Sequence, residues 1–394
     1  MKQPHSTRNR VQSIDWLRGW VMLTMTLDHT RDYFHADAFF YEPTDLSQTT
    51  FWIFMTRFIT HFCAPVFVLL AGTSAWFVGQ RKNKRELSFW LLKRGFWLIF
   101  LEITVIKFAW AFKLDYRVVT VQVIWALGAG MITLAGLIHL KKYLAIAIAL
   151  IMIAGHNLLD GFQPQGEILT LLWNIIHVFG PNQIGSFTFF VAYPVVPWLG
   201  LMLLGYYLGE LYHPDFGKQR RLRILLISGS GIVIFFFALR LSNVYGDPIP
   251  WEPQKNVLFT YLSIINVSKY PHSLLYLMIT IGPTLIVLYI IEKFRLTEFK
   301  PLVVIGRVPM FWYILHIYLI HLVALIAAML TGFPASAMII DFWVNEQHEL
   351  QGYGFGLGTV YLVWLGICLV LYPLSQWYNQ YKSNNRDKWW LSYL

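Results

Sequence analysis

Apolar runs of bilayer-crossing length recur along the chain, and they decide the fold class before any motif is considered. A helix needs roughly 20 mostly apolar residues to cross the hydrocarbon core. Ten segments have that character, near residues 14–34, 51–79, 88–112, 119–140, 143–158, 188–212, 222–242, 272–292, 302–330 and 356–378. They predict an all-α, polytopic membrane bundle of about ten transmembrane helices. Charged residues make up only 13% of the chain and mean hydropathy is +0.51, whereas soluble domains carry about 25% charged residues. The 17 Trp and 21 Tyr suit anchoring at membrane interfaces. No internal repeat, heptad pattern or separate soluble unit is visible, so residues 1–394 read as a single domain.

The formal charge of +10 invites a nucleic-acid reading, but its distribution explains it otherwise. With the N-terminus inside, twenty Lys and Arg fall in cytoplasmic segments, among them Lys2, Arg8, Arg10, Arg81, Lys82, Lys218, Arg220, Arg221, Lys382 and Arg386. Four fall opposite: Lys113, Arg117, Lys255 and Lys269. That bias orients a membrane protein; it predicts both termini in the cytoplasm of a multi-pass membrane protein, with no nucleic-acid partner. The basic N-terminal stretch leads into a segment holding Asp15, Arg18, Asp28 and His29. A cleaved signal peptide wants a clean apolar core, so the first helix is read as retained. Two cysteines, Cys63 and Cys368, exclude a disulfide framework, and no metal-ligand spacing appears, so no metal is expected.

Ionisable residues inside apolar spans are costly and mark a protein interior or a cavity. The first helix carries Arg18, Asp28, His29, Arg31 and Asp32; the second carries Arg57 and His61, four apart, just before Pro65. Asp28 and His29 are adjacent, so they diverge by about 100° on a helix, and Asp32 is the expected partner of His29. Polar groups ending or opening later spans, Asn157, Arg240, Asp247 and Lys269, fall on the same outer side and predict one polar vestibule there. Arg18 and Arg307 fall toward the cytoplasmic mouth, with His316 nearer mid-membrane. Arg18 and His29 are eleven residues apart, about 16 Å along a helix, comparable to an extended pantetheine arm. Acyl transfer from a thioester needs a base or a nucleophile, and imidazole serves as either. No Gly-x-Ser-x-Gly elbow, Walker loop or His-Glu-x-x-His site is present.

The stretch Ser13-Ile14-Asp15-Trp16-Leu17-Arg18-Gly19 resembles the transmembrane acyltransferase superfamily, in particular bacterial relatives of heparan-alpha-glucosaminide N-acetyltransferase. Similar stretches are Thr60 to Phe67, Tyr193 to Gly200, Asn243 to Pro248, Lys269 to Leu274 and Gly306-Arg307-Val308-Pro309. The resemblance implies acetyl-CoA, or another acyl-CoA, bound from the cytoplasm and an acyl group delivered to an extracytoplasmic glycan amine or hydroxyl; relatives suggest a homodimer. The ten residues between Arg18 and His29 also match the Arg-to-His spacing of the membrane O-acyltransferases that modify envelope polysaccharides. The family pattern departs at Asp28-His29, where it has Asn-Tyr with its active histidine later, near His35; heparan is therefore not carried over as acceptor.

These readings predict a membrane acyltransferase of the cell envelope. His29 is general base or transient acyl carrier, supported by Asp28, Asp32 and His61. Arg18, Arg307 and His316 are assigned to the donor. Arg31, His35, Arg57, Asn157, Arg240, Asp247 and Lys269 are assigned to the acceptor. His29, His35 and His61 stay open as alternatives for the catalytic imidazole. A proton- or ion-coupled transporter is the rival class, because buried Asp, His and Arg also mark ion pathways.

Overall fold

The computed structural model describes residues 11–385 and 387–392; Lys2, Arg8, Arg10 and Arg386 of the charge argument lie outside the described residues. The chain runs α1 (Gln12–Phe34), α2 (Phe51–Thr60), α3 (Cys63–Gly79), α4 (Lys84–Leu101) and α5 (Lys107–Ala111), the last two joined by a π turn, Glu102–Ile106. Strand β1 (Val118–Val121) precedes α6 (Val123–Leu137), α7 (Lys142–Gly155) and α8 (Glu167–Ile176). A hairpin, β2 (Gly180–Ile184) and β3 (Phe187–Val191), leads to α9 (Val196–Leu208), α10 (Lys218–Ser242) and α11 (Val257–Ile265). Then follow α12 (Leu274–Lys293), α13 (Lys300–Arg307), α14 (Pro309–Leu330) and α15 (Leu357–Asn384).

Each of the ten expected segments carries helix, but only part of the set meets the length and apolarity of a membrane span. Six do: Phe51–Gly79, Lys142–Leu159, Lys218–Ser242, Leu274–Lys293, Pro309–Leu330 and Leu357–Asn384. α1 is long enough but carries several charges, and α6 and α9, at 15 and 13 residues, are short. Two expected helices also begin as strand: Val118–Val121 and Phe187–Val191 are runs of β-branched and aromatic residues. They pair parallel, β2 adds antiparallel, and the order is β1-β3-β2. The apolar outer faces of α10 and α15, including Ile227, Ile234, Phe235, Leu362 and Leu369, are exposed, as lipid-facing helices require. The protein is a helical membrane protein.

Local chemistry shapes the helices around the future site. Pro65 cannot donate to the carbonyl four residues back, and the chain breaks between α2 and α3 at His61-Phe62. The freed His61 carbonyl accepts instead from the Tyr276 hydroxyl, 2.9 Å away. The π turn after α4 adds a residue to the helical repeat, a device frequent at functional sites, and leads into α5, which carries Trp110.

Glycines set the closest helix crossing. α1 and α13 meet where a Cβ on Gly19 would lie 1.9 Å from the Leu302 carbonyl oxygen, and one on Gly306 1.8 Å from that of Asp15. Small residues at such contacts let backbones approach without a side chain between them. Gly19→Val should therefore cost more than the about 1–3 kcal/mol of ordinary overpacking, read as a lowered apparent Tm in detergent. Gly366→Val, on an open face of α15, should leave Tm unchanged; equal Tm values for both variants would refute the contact's importance.

Candidate active site

Two cavities lie at opposite ends of α1. The larger, about 1130 Å³, is lined by Met25, Asp28, His29, Arg31 and Asp32 of α1 and by Arg57, His61 and Cys63 from the second segment. Glu102, Lys107 and Trp110 form another wall, with Lys269 and Tyr270 opposite and the β-sheet contributing Val118, Thr120 and Phe190. The smaller, about 750 Å³, is lined by Asp15, Arg18, Ser74, Arg81, Lys82 and Tyr212 among others. Along α1, Val21 and Met22, both 0% exposed, stand between the two.

Asp28 organises the larger cavity. Arg57 Nη1 donates to both of its carboxylate oxygens, at 2.9 and 2.8 Å, and Thr60 Oγ1 donates to Oδ1 at 2.8 Å. Arg31 Nη2 lies 2.8 Å from Oδ1 and Lys269 Nζ 3.6 Å from Oδ2. A buried carboxylate survives only when paired and hydrogen-bonded, and here α1, α2 and the segment before α12 all supply partners. Asp28 is thus a clamp on cations rather than a base with free lone pairs. Arg31 also donates to Asp32 at 2.6 Å, while its Nε and Nη1 have no protein partner.

The expected pairing of His29 with Asp32 does not form, because the adjacent Arg31 guanidinium takes the Asp32 carboxylate. His29 instead packs on Trp110, with ring centroids 4.6 Å apart, and meets His316 edge to face at 5.1 Å. Trp110 is itself held by Tyr33, whose hydroxyl donates to the Trp110 carbonyl at 2.7 Å. His61 lines the same cavity, and its Nδ1 is buried without a partner.

Several other expected site residues serve elsewhere. Arg240 does not line the cavity; it donates to the carbonyls of Ile249, Ser263, Ile264 and Asn266, satisfying backbone around α11. Asp247 accepts from Ser268 N and Oγ at 2.8 Å each and from Ser273 Oγ at 2.6 Å. Asn157 Oδ1 accepts from Leu274 N at 2.9 Å. These three residues hold the loop that presents Lys269, so of the four groups expected in one vestibule only Lys269 lines it. His35 is buried outside the lining of both cavities. His316, expected at the donor, is 0% exposed beside His29 and lines neither cavity.

At the other end, Arg18 Nη1 donates to Gly306 O at 3.0 Å and to Asp15 Oδ1 at 3.2 Å, and Nη2 donates to Ser74 at 2.9 Å. Arg307 Nε lies 3.6 Å from Asp15 Oδ2, which the close glycine crossing makes possible. The smaller cavity is thus edged by Arg18, Arg81 and Lys82, with Arg307 behind Asp15.

Sequence reasoning missed Glu102, 1% exposed, whose carboxylate accepts from the N–H of Gln122 at 2.9 Å and of Trp125 at 3.2 Å, capping α6. Its signal was available: it is an acid inside the apolar segment 88–112, the same anomaly that singles out Asp28. Trp110 carried no such signal, being one of 17 tryptophans. At the rim, hydrogen bonds from Arg117 hold the Asp115 carboxyl down at about 2, and those from Ser47 and Gln48 lower that of Asp45. Glu42, Asp341 and Glu346 join them around the opening.

Truncating the clamp should be more damaging than neutralising a surface charge. Asp28→Ala leaves Arg31, Arg57 and Lys269 facing one another, and breaking a buried ion pair costs about 3–5 kcal/mol. A large drop in the apparent Tm is expected; a wild-type Tm would contradict the clamp.

No curated protein matches the chain. Residues 10–239 match the family described as heparan-alpha-glucosaminide N-acetyltransferase, catalytic. The match takes in α1 to α9 and nearly all of α10, hence Arg18, Asp28, His29, Arg57, His61 and Glu102, but not Lys269, Arg307 or His316. It covers more than half of the chain: this protein, with its two cavities at the ends of one charged helix, belongs to the heparan-alpha-glucosaminide N-acetyltransferase catalytic family and is a membrane transferase of acetyltransferase type.

Proposed function

We propose that the protein moves an acyl group, acetyl in the first instance, from acyl-CoA at the Arg18 end to a glycan-type acceptor at the His29 end. The observation that carries this reading is the placement of the two cavities on one helix, with cations edging one and an imidazole among ion pairs in the other. The excess of Lys and Arg in loops at the Arg18 end supports a cytoplasmic position for that end; in this reading both termini lie there, all ten segments span, and the whole chain acts as one domain in a bacterial inner membrane. Arg18, Arg81 and Lys82 are suited to the phosphates of the donor, since arginine and lysine bind phosphate oxygens by charge-assisted hydrogen bonds.

In the larger cavity, His29 acts on the acceptor. Its ring takes the proton from the attacking amine or hydroxyl as that atom bonds to the thioester carbonyl carbon. The carbon–sulfur bond then breaks, and the proton passes to the departing CoA sulfur. Negative charge on the carbonyl oxygen during attack is met by Arg57, Arg31 or Lys269, which preorganised cations stabilise without reorganisation. Asp28 keeps those cations in place when the cavity has no anion in it.

His29→Ala should lower acyl transfer by about 10²–10⁴-fold, the usual weight of a general base, while acetyl-CoA still binds. CoA release from protein in proteoliposomes measures the first and calorimetry the second. Full activity of His29→Ala would remove His29 from this role and leave His61 to be tested. Arg81→Ala combined with Lys82→Ala should weaken acetyl-CoA binding at least about tenfold, since hydrogen bonds to charged groups contribute about 1.5–3 kcal/mol. Unchanged affinity would place the donor elsewhere.

A further inference from the structure

His316 lines neither cavity, and the mechanism above does not use it. Its surroundings nevertheless constrain its protons. Nδ1 lies 3.0 Å from the carbonyl oxygen of Trp312, one turn back on α14. A carbonyl only accepts, so Nδ1 carries the hydrogen and Nε2 of the neutral ring is a lone pair. That Nε2 is buried and has no partner. The aromatic and imidazole rings meeting His316 are His29, edge to face at 5.1 Å and 89°, and Tyr313, at 5.5 Å and 69°.

His29 presents the complementary defect. Histidines in helices commonly donate Nδ1–H to the carbonyl one turn back, as His316 does, but His29 Nδ1 is buried with no acceptor. A buried donor without a partner costs about 1–3 kcal/mol. Two neighbouring rings thus each bury one unsatisfied nitrogen, and the two atoms are of opposite capability if His29 carries its hydrogen on Nδ1. The rings are not in bonding contact, but catalytic hydrogen bonds are commonly long before substrate binds. With the ring centroids 5.1 Å apart, a turn of the His29 ring or one bridging water would link the two atoms.

We propose that His316 is a positioning residue for the acyl-transfer base: its Nε2 accepts the Nδ1–H of His29, directly or through one water, and thereby leaves His29 Nε2 as a lone pair toward the cavity. The chain Trp312 C=O, His316, His29 does what a carboxylate does behind a catalytic histidine, fixing tautomer and ring orientation. A neutral imidazole in place of a carboxylate avoids burying another charge next to Arg31 and Asp28. This inference rests on His29 being the base, and it explains why α14, outside the family match, turns a histidine toward it.

The test reads the tautomer directly. Protein labelled with ¹⁵N-histidine in lipid bilayers is examined by solid-state NMR, the His29 signals being identified by their loss in His29→Asn. Wild type should carry hydrogen on Nδ1, and His316→Leu should shift His29 toward the Nε2–H form. His316→Gln, whose amide oxygen still accepts, should restore the wild-type tautomer. In turnover, His316→Leu should lower kcat about 10- to 100-fold, the usual loss when a group fixing the second imidazole nitrogen is removed, at unchanged KM for acyl-CoA, with partial recovery in His316→Gln. An Nε2–H tautomer in wild type, or one indifferent to His316→Leu in protein that still folds, overturns the proposal. The NMR result concerns resting protein, so it stands apart from whether His29→Ala abolishes transfer.

Discussion

A carboxylate in the apolar interior of a bundle is tolerable only if its surroundings replace the water it has lost, and Asp28 obtains that replacement from Arg57, Thr60, Arg31 and Lys269. Arg57, Thr60 and Lys269 come from helices and loops distant from α1 in sequence, so the ion cluster is also a tertiary crosslink. It ties α1 to α2 and to the segment opening α12. Arg57 and Lys269 have few other stabilising contacts for their charge at this depth, so their side chains extend to Asp28 and form a wall of the cavity. The cost of burying each ion is offset only by the presence of the others. Stability and the charge of the cavity are therefore coupled at this point: the cations that line it are the groups that make the carboxylate tolerable.

The opposite end of α1 rests on a different principle. There the decisive contact is steric, the crossing of α1 and α13 at Gly19 and Gly306. Without side chains between the backbones, Arg18 reaches the Gly306 carbonyl and Arg307 approaches Asp15. The glycines beside these two arginines thus have a physical role of their own, independent of any ligand. Between the two ends, Val21 and Met22 are packed as core, so buried apolar side chains separate the two polar sites along α1.

Much of this was legible from residue type and position. Charges within apolar runs pointed to Asp28, His29, Arg31, Arg57 and His61, and the structure brings all five to one cavity. The same rule, applied to Glu102, would have added it. Legibility failed where a polar residue's partner is backbone. Arg240, Asp247 and Asn157 resemble site residues in sequence, but they satisfy carbonyls, amides and hydroxyls around α11 and at the start of α12. Sequence spacing also misjudged His29, because helical proximity to Asp32 does not reveal that the neighbouring Arg31 captures that carboxylate. The strands Val118–Val121 and Phe187–Val191 were hidden within hydrophobic runs, since apolarity alone does not distinguish strand from helix.

The sequence by itself determined that this is a helical membrane protein, because apolar runs long enough to cross a bilayer recur along it with few charges, and that its charged first helix must face protein or a cavity. It also carried the family likeness, through motifs local in sequence. Only the tertiary structure decided which imidazole stands against which neighbour. His316 lies 287 positions from His29, and nothing in either residue's surroundings in the sequence relates them. Their meeting follows from the packing of α14 against α1, which is set by side-chain shape summed over both helices rather than by any short motif.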